Sequence, residues 1–171
     1  MSANPKCSTF KHAKFPIQKT SENYFDKKLM IPDIVEITSE QTLNIRHKSM
    51  WPDKPIDYVR VINDNEGRHF GLFINDKMVS VISLFIINKD AQFRKFATLT
   101  DYQGKGFGTI LLKKIMSIVE NENSHRIWCN ARVDKSNYYA KFGMILTDNK
   151  FTKGGIEYVI MEKTFANNNC I

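Results

Sequence analysis

Between residues 68 and 99 the chain alternates apolar runs with short polar breaks. Residues 69–74 and 78–87 are rich in aromatic and β-branched side chains, with Asn75-Asp76-Lys77 between them. Residues 91–99 follow Asn88-Lys89-Asp90. Short apolar runs bounded by Asn and Asp read as strands joined by tight turns. Three in succession predict an antiparallel meander. After Leu99 the period lengthens from two to that of a helix. Ile110, Leu111, Leu112, Ile115, Met116, Ile118 and Val119 form an apolar stripe, with Lys113, Lys114 and Glu120 outside it. This is an amphipathic helix facing the core. Residues 126–131 are strand-like again, so the strand–helix–strand order predicts a crossover and a parallel pair.

Toward the C-terminus, residues 134–142 read as a second helix ended by Gly143. Residues 144–147 and 156–163 close the fold as antiparallel strands around Lys153-Gly154-Gly155. Toward the N-terminus, residues 34–38 read as a short strand, Ser39 as an N-cap and residues 41–50 as a helix. Trp51-Pro52-Asp53-Lys54-Pro55 breaks that helix, because its prolines enforce an extended loop. Residues 56–62 read as a short helix and 63–67 as a polar turn. The predicted class is α/β with an α+β mixed sheet: an antiparallel meander, then a βαβ parallel pair. Residues 1–30 lack periodicity and are rich in Lys, Ser, Thr and Asn. They are expected to be an irregular extension ahead of a single domain over residues 31–171.

A chain of 171 residues, 42% hydrophobic and 25% charged, can bury a core without disulfides or metals. Its longest strongly apolar stretch, residues 79–87, contains Ser80 and Ser83. It falls well short of the roughly 20 residues that span a bilayer, so no membrane partner is expected. The lysines near the N-terminus are followed by no apolar segment, so no secretory signal is expected. Cys7, Cys129 and Cys170 are widely spaced and form no C-x-x-C pair, which argues against a disulfide framework or a metal site. A cytoplasmic location fits best. The formal charge of +7 invites a nucleic-acid reading. Six lysines against Glu22 and Asp26 leave +4 in residues 1–30 and +3 over the rest, so the body is near balance and nucleic acid is not the expected partner.

The candidate chemistry lies in Gln103-Gly104-Lys105-Gly106-Phe107-Gly108-Thr109, between a strand and a helix. Alternate glycines let the backbone approach a ligand closely. The helix start supplies unpaired N–H groups and the positive end of a dipole, a cradle suited to pyrophosphate. A P-loop, G-x-x-x-x-G-K-S/T, fails because Phe107 follows Gly106. The dinucleotide pattern G-x-G-x-x-G fails because its third glycine would fall on Thr109 or Leu111.

The segment resembles Q/R-x-x-G-x-G/A, the acyl-CoA pyrophosphate motif of the GNAT acetyltransferases, with Gln103, Gly106 and Gly108 in its defined places. A second stretch is similar to the family's A-R-x-x-A-x-x-F-Y-x-x-x-G-F. Here it reads Ala131-Arg132, Lys135, Tyr138-Tyr139 and Phe142-Gly143-Met144, with Lys135 and Met144 departing from the pattern. The resemblance runs over roughly residues 33–164. It implies the acyl-CoA N-acyltransferase fold, in which the parallel strands splay to hold acetyl-CoA. The pantetheine arm would pair near Phe96, Ala97 and Thr98, and the pyrophosphate would sit on Gly104, Lys105, Gly106, Phe107, Gly108 and Thr109. Tyr139 would be the general acid for the departing thiolate.

Many relatives carry a Glu on the strand before the turn, and here that strand has none. A water relay, Glu66 or His69 must serve as base. Arg94 and Lys95 suggest an acceptor bearing a carboxylate or phosphate beside its amine, or else strand charges paired with nearby acids. Arg132 has the same two readings. Trp51 is placed to line an acceptor pocket or simply to pack. Cys129 reads as a buried small hydrophobe, since direct transfer needs no acyl-enzyme. The implied activity is an N-acetyltransferase for a small amine. The alternatives are a protein lysine or N-terminal acetyltransferase and a catalytically inactive acyl-CoA-binding module. Family members are commonly dimers, which leaves a homodimer open.

Overall fold

The computed structural model describes residues 31–165; the N-terminal extension and the Asn-rich end lie outside the described residues. The chain begins regular structure at β1 (Asp33–Ile37). Helix α1 (Ser39–Met50) starts two residues before the expected place, because its N-cap is Thr38 rather than Ser39. Thr38 stays extended while its hydroxyl accepts from the Gln41 amide at 3.3 Å. Gln41 returns the bond to the Thr38 amide at 2.8 Å, completing a capping box. The helix stops at Trp51, ahead of Pro52. Of residues 56–62 only Ile56–Val59 is helical, as a single 3₁₀ turn, and Asp64–Glu66 is another.

The meander is β2 (Arg68–Ile74), β3 (Lys77–Ile87) and β4 (Asp90–Thr98). Asn75, Asp76, Asn88 and Lys89 all take positive φ, as two-residue hairpin turns require. Then come α2 (Phe107–Asn121), β5 (Arg126–Arg132), the short α3 (Ser136–Ala140), β6 (Ile145–Lys153) and β7 (Ile156–Thr164). Helix α3 is shorter than the expected 134–142, because residues 133–135 form a 3₁₀ turn instead. Strand β6 runs past residue 147 through an irregularity between Leu146 and Lys150.

All seven strands form one sheet in the order β1-β2-β3-β4-β5-β7-β6. Among the described residues only β4 and β5 pair in parallel; β7 slots between β5 and β6. The apolar stripe of α2 (Leu111, Leu112, Ile115, Val119) packs on Leu72, Ile82, Leu84, Phe93 and Ile127. Each such side chain, when fully buried, contributes about 1.5–3 kcal/mol. On the opposite face Ile45 of α1 meets Val81 and Ala97. The sheet thus carries a helix on each side.

Candidate active site

Strands β4 and β5 are paired at only three rungs, Asp90–Arg126, Ala91–Ile127 and Gln92–Trp128. Beyond them the strands part, and β4 runs on to Thr98 without a neighbour on that edge. A bulge reinforces the parting. Val81 pairs with Ala97 and Ser83 with Arg94, so Lys95 and Phe96 together oppose Ile82. Lys95 takes a φ of +50° there. An extra residue of this kind bends a strand and increases its twist.

The glycine turn closes one end of the gap. Gly106 caps α2 with a φ of +86°, and a side chain there would meet nothing within 4 Å. Among the described residues, no side chain caps this helix start and no acid stands in its first turn. Among the described residues, the amides from Gly104 to Thr109 make no backbone hydrogen bond outside the helix, and the turn at Gly104 and Gly106 borders open space at the helix's positive end. Gln103 does not reach into that space. Its Nε2 donates to the Thr98 carbonyl at 2.9 Å and ties the turn to β4. Gly108 is needed for close approach, since a Cβ there would lie 3.1 Å from Phe96 and 3.3 Å from Thr98 Oγ1. Ala97 turns its side chain to the α1 face and leaves its backbone on β4. Lys105 and Lys77 set their ammonium groups 5.4 and 5.0 Å from the Tyr102 ring, adding positive charge beside the turn.

Tyr139 sits at the fork. Its ring is 5.8 Å from Phe93 and 5.3 Å from Tyr138. Burial pushes its phenol well above the ordinary 10.0, with Cys129 and Tyr138 adding. Tyr138 stacks between Phe96 and Phe142. Its hydroxyl is buried beside Gly108 and Thr109 without completing a hydrogen bond among the described residues. Cys129 is 2% exposed, and burial raises its thiol, which suits an inert apolar residue rather than a nucleophile.

The expected acceptor-side residues separate. His69 is 3% exposed, so it is not available as a base. Its Nε2 lies 2.7 Å from the Asp64 carbonyl, which only accepts, so Nε2 carries the proton. Its Nδ1 lies 2.8 Å from Ser83 Oγ, and that oxygen accepts from Arg46 at 2.6 Å. Arg46, fully buried, grips both carboxylate oxygens of Asp64 at 2.6 and 2.9 Å. This network fastens residues 59–69 to the sheet. Glu66 is exposed on its 3₁₀ turn, and nothing among the described residues ties it to the gap. Arg94 lies 4.4 Å over the Phe85 ring and donates to Gln92 at 2.6 Å. Arg132 pairs with Asp134 at 3.0 Å.

Trp51 packs between the β6–β7 turn and Tyr58. Its indole would be 3.2 Å from a Cβ on Gly154, whose φ is +59°, and it meets Tyr58 edge-on at 5.4 Å. The loop after α1 and the β6–β7 turn thus touch. Of the residues near the gap and its flanking turns, Lys95 was already singled out with Arg94, whereas Lys77, Tyr138 and Lys153 had no part in the sequence reading of the site. These three are brought in by strand pairing or turn contact that leaves no local signature.

A family model described as an acetyltransferase (GNAT) domain matches residues 38–165. The chain belongs to the GNAT family. It is 29% identical over 142 residues to the uncharacterized N-acetyltransferase YitI of Bacillus subtilis, covering 77% of this chain and 95% of that one. The ribosomal-protein-S18-alanine N-acetyltransferase of Escherichia coli superposes with a TM-score of 0.66 at 17% identity, covering 82% of this chain and 99% of that one. A GNAT acetyltransferase of Elizabethkingia anophelis with acetyl-CoA bound superposes with a TM-score of 0.62 at 14% identity, covering 78% and 98%. This GNAT protein is an acetyl-CoA-dependent acyltransferase. Among its described residues there is no metal-binding group and no helix long and apolar enough to cross a membrane.

Proposed function

We propose that this GNAT enzyme transfers an acetyl group from acetyl-CoA directly to the primary amine of a small molecule, and that it works in the cytoplasm, where that donor is at hand. The observation that carries the reading is the parting of β4 from β5 beside an uncapped turn, with Tyr139 at the fork. The pyrophosphate lies on the amides from Gly104 to Thr109. The pantetheine arm lies along Phe96, Ala97 and Thr98 as an added strand. The acceptor enters past Trp51.

The neutral amine nitrogen attacks the thioester carbonyl, and the C–N bond forms. The C–S bond then breaks, and the thiolate takes the proton of Tyr139. The new amide loses its extra proton to water, and Tyr139 regains one from solvent. A lysine-like amine, with a pKa of about 10.4, must first shed a proton. The carboxylate of β4, Asp90, is held by Arg126 at the paired end of the strand, so water in the open gap takes it.

The contact of Trp51 with Gly154 favours a small acceptor, because a peptide needs an open groove where these loops meet. Release of CoA from acetyl-CoA over an amine library tests the reading, together with equilibrium dialysis of acetyl-CoA. Turnover with a small amine supports it. Acetyl-CoA binding with turnover only on peptides moves the acceptor to protein, and failure to bind acetyl-CoA removes the reading altogether.

A further inference from the structure

Lys95 lies in the β4 bulge beyond the rungs shared with β5, and Lys153 is an exposed residue at the end of β6, next to the β6–β7 turn. Lys95 holds a left-handed conformation in the β4 bulge, just past the last rung shared with β5. A non-glycine residue persists there only where its surroundings hold it, and such residues gather at ligand sites. Its half-buried ammonium has Arg46, Lys153 and Asp64 as charged neighbours. Asp64 is already committed to Arg46 through both oxygens. Among the described residues, neither Lys95 nor Lys153 forms an ion pair. Lys153 leads into the turn at Gly154, which carries the indole of Trp51. A half-buried cation facing a like charge is unfavourable until an anion joins it. Burial and the charges of Arg46 and Lys153 hold Lys95 below its ordinary 10.5, which is the signature of that deficit.

The geometry points to an acceptor that carries an anionic group, a carboxylate or a phosphate, beside its amine, with the anion seated between Lys95 and Lys153 against Trp51. This rests on the transferase reading above and narrows its substrate class. A polyamine would be repelled from the same place, and a peptide lysine would bring no anion to it.

The test compares size-matched probes with the full chain. Initial rates of CoA release are measured for β-alanine against propylamine, phosphoethanolamine against ethanolamine, and spermidine. The anionic member of at least one pair is expected to lead in kcat/KM by about tenfold, the scale of one charge-assisted hydrogen bond. The leading pair tells carboxylate from phosphate. Lys95→Met and Lys153→Met should each bring that ratio toward one, and Lys95→Arg should restore most of it. The inference is overturned if neither anionic member leads its neutral partner, or if spermidine outpaces both anionic probes. Where no probe is turned over, calorimetric titration of phosphoethanolamine and β-alanine into CoA-saturated protein decides. Binding weakened by Lys95→Met supports the site, and absence of binding overturns it. If acetyl-CoA itself fails to bind, the transferase reading falls, and the same titration into ligand-free protein still decides on the anion.

Discussion

Tyr139 of α3 lies against Phe93 of β4, ring centroids 5.8 Å apart, at the first position beyond the last β4–β5 rung. The contact sets the phenol where the two strands cease to share hydrogen bonds. Tyr139→Phe keeps the ring and removes the proton donor. We expect kcat to fall by roughly a hundredfold, the lower range for a lost general acid, with KM for acetyl-CoA little changed. Steady-state CoA release on an accepted amine checks this, and an unaffected kcat removes Tyr139 as the acid.

Tyr139 also predicts an alkaline limb of stability. Its folded pKa is raised above the ordinary 10.0 by burial. The stabilisation is therefore complete below pH 10.0 and is lost as pH rises toward the folded value. Urea midpoints across the alkaline range should fall for the wild type and fall less for Tyr139→Phe.

Gly106 and Gly108 are required for different reasons, so their alanine variants should differ. Gly106→Ala meets no atom within 4 Å but forces φ +86° on a side chain. It should lose about 1–2 kcal/mol of stability and weaken acetyl-CoA binding as the amides turn away. Gly108→Ala crowds Phe96 and Thr98 at 3.1 and 3.3 Å and moves the pantetheine edge itself. Dialysis against acetyl-CoA with parallel thermal melts separates the two. Equal affinity for wild type and both variants would disprove the assignment of this turn.

The Arg46–Asp64 pair predicts an acid limb. Burial works to raise the Asp64 carboxyl, but the bonds from Arg46 and the Val61 amide outweigh it and hold it below 3.8. Its contribution is present above 3.8 and is lost as pH falls through the folded value. Asp64→Asn leaves a buried guanidinium uncompensated and should cost about 3–5 kcal/mol at neutral pH. Urea denaturation at pH 7 and pH 3 should show the gap between wild type and variant narrowing in acid.

His69 gives a sharper contrast between a structural and a chemical role. With both nitrogens engaged by Ser83 and the Asp64 carbonyl, it orients the loop rather than moving a proton. His69→Leu should lower Tm and leave the shape of the pH–rate profile unchanged. Loss of the profile's acid limb in the variant would restore it as a base.

Much of the architecture was legible because its signals are local. Alternation at residues 69–99 marks the meander, and the 3.6 period after Leu99 marks α2. The glycines at 104, 106 and 108 mark a special turn into a helix, and the structure gives the reasons: positive φ at Gly104 and Gly106, close approach at Gly108. Turn chemistry was nearly as clear, with Asn75-Asp76 and Asn88-Lys89 in the positive φ their residue types tolerate.

Long-range contacts decided the rest. No local pattern shows that β7 lies between β5 and β6, or that β4 and β5 part after three rungs. His69 and Arg94 read alike as polar residues on strands. Only packing shows the first bound inside a network with Arg46 and Asp64, and the second laid over Phe85. Lys95 and Lys153 lie far apart in the chain, and only the folded sheet lets the charge of the second be felt at the first. Sequence periodicity determines which face each segment buries. Which unpaired charges then meet across a gap depends on where the sheet opens, and that is a property of the assembled fold alone.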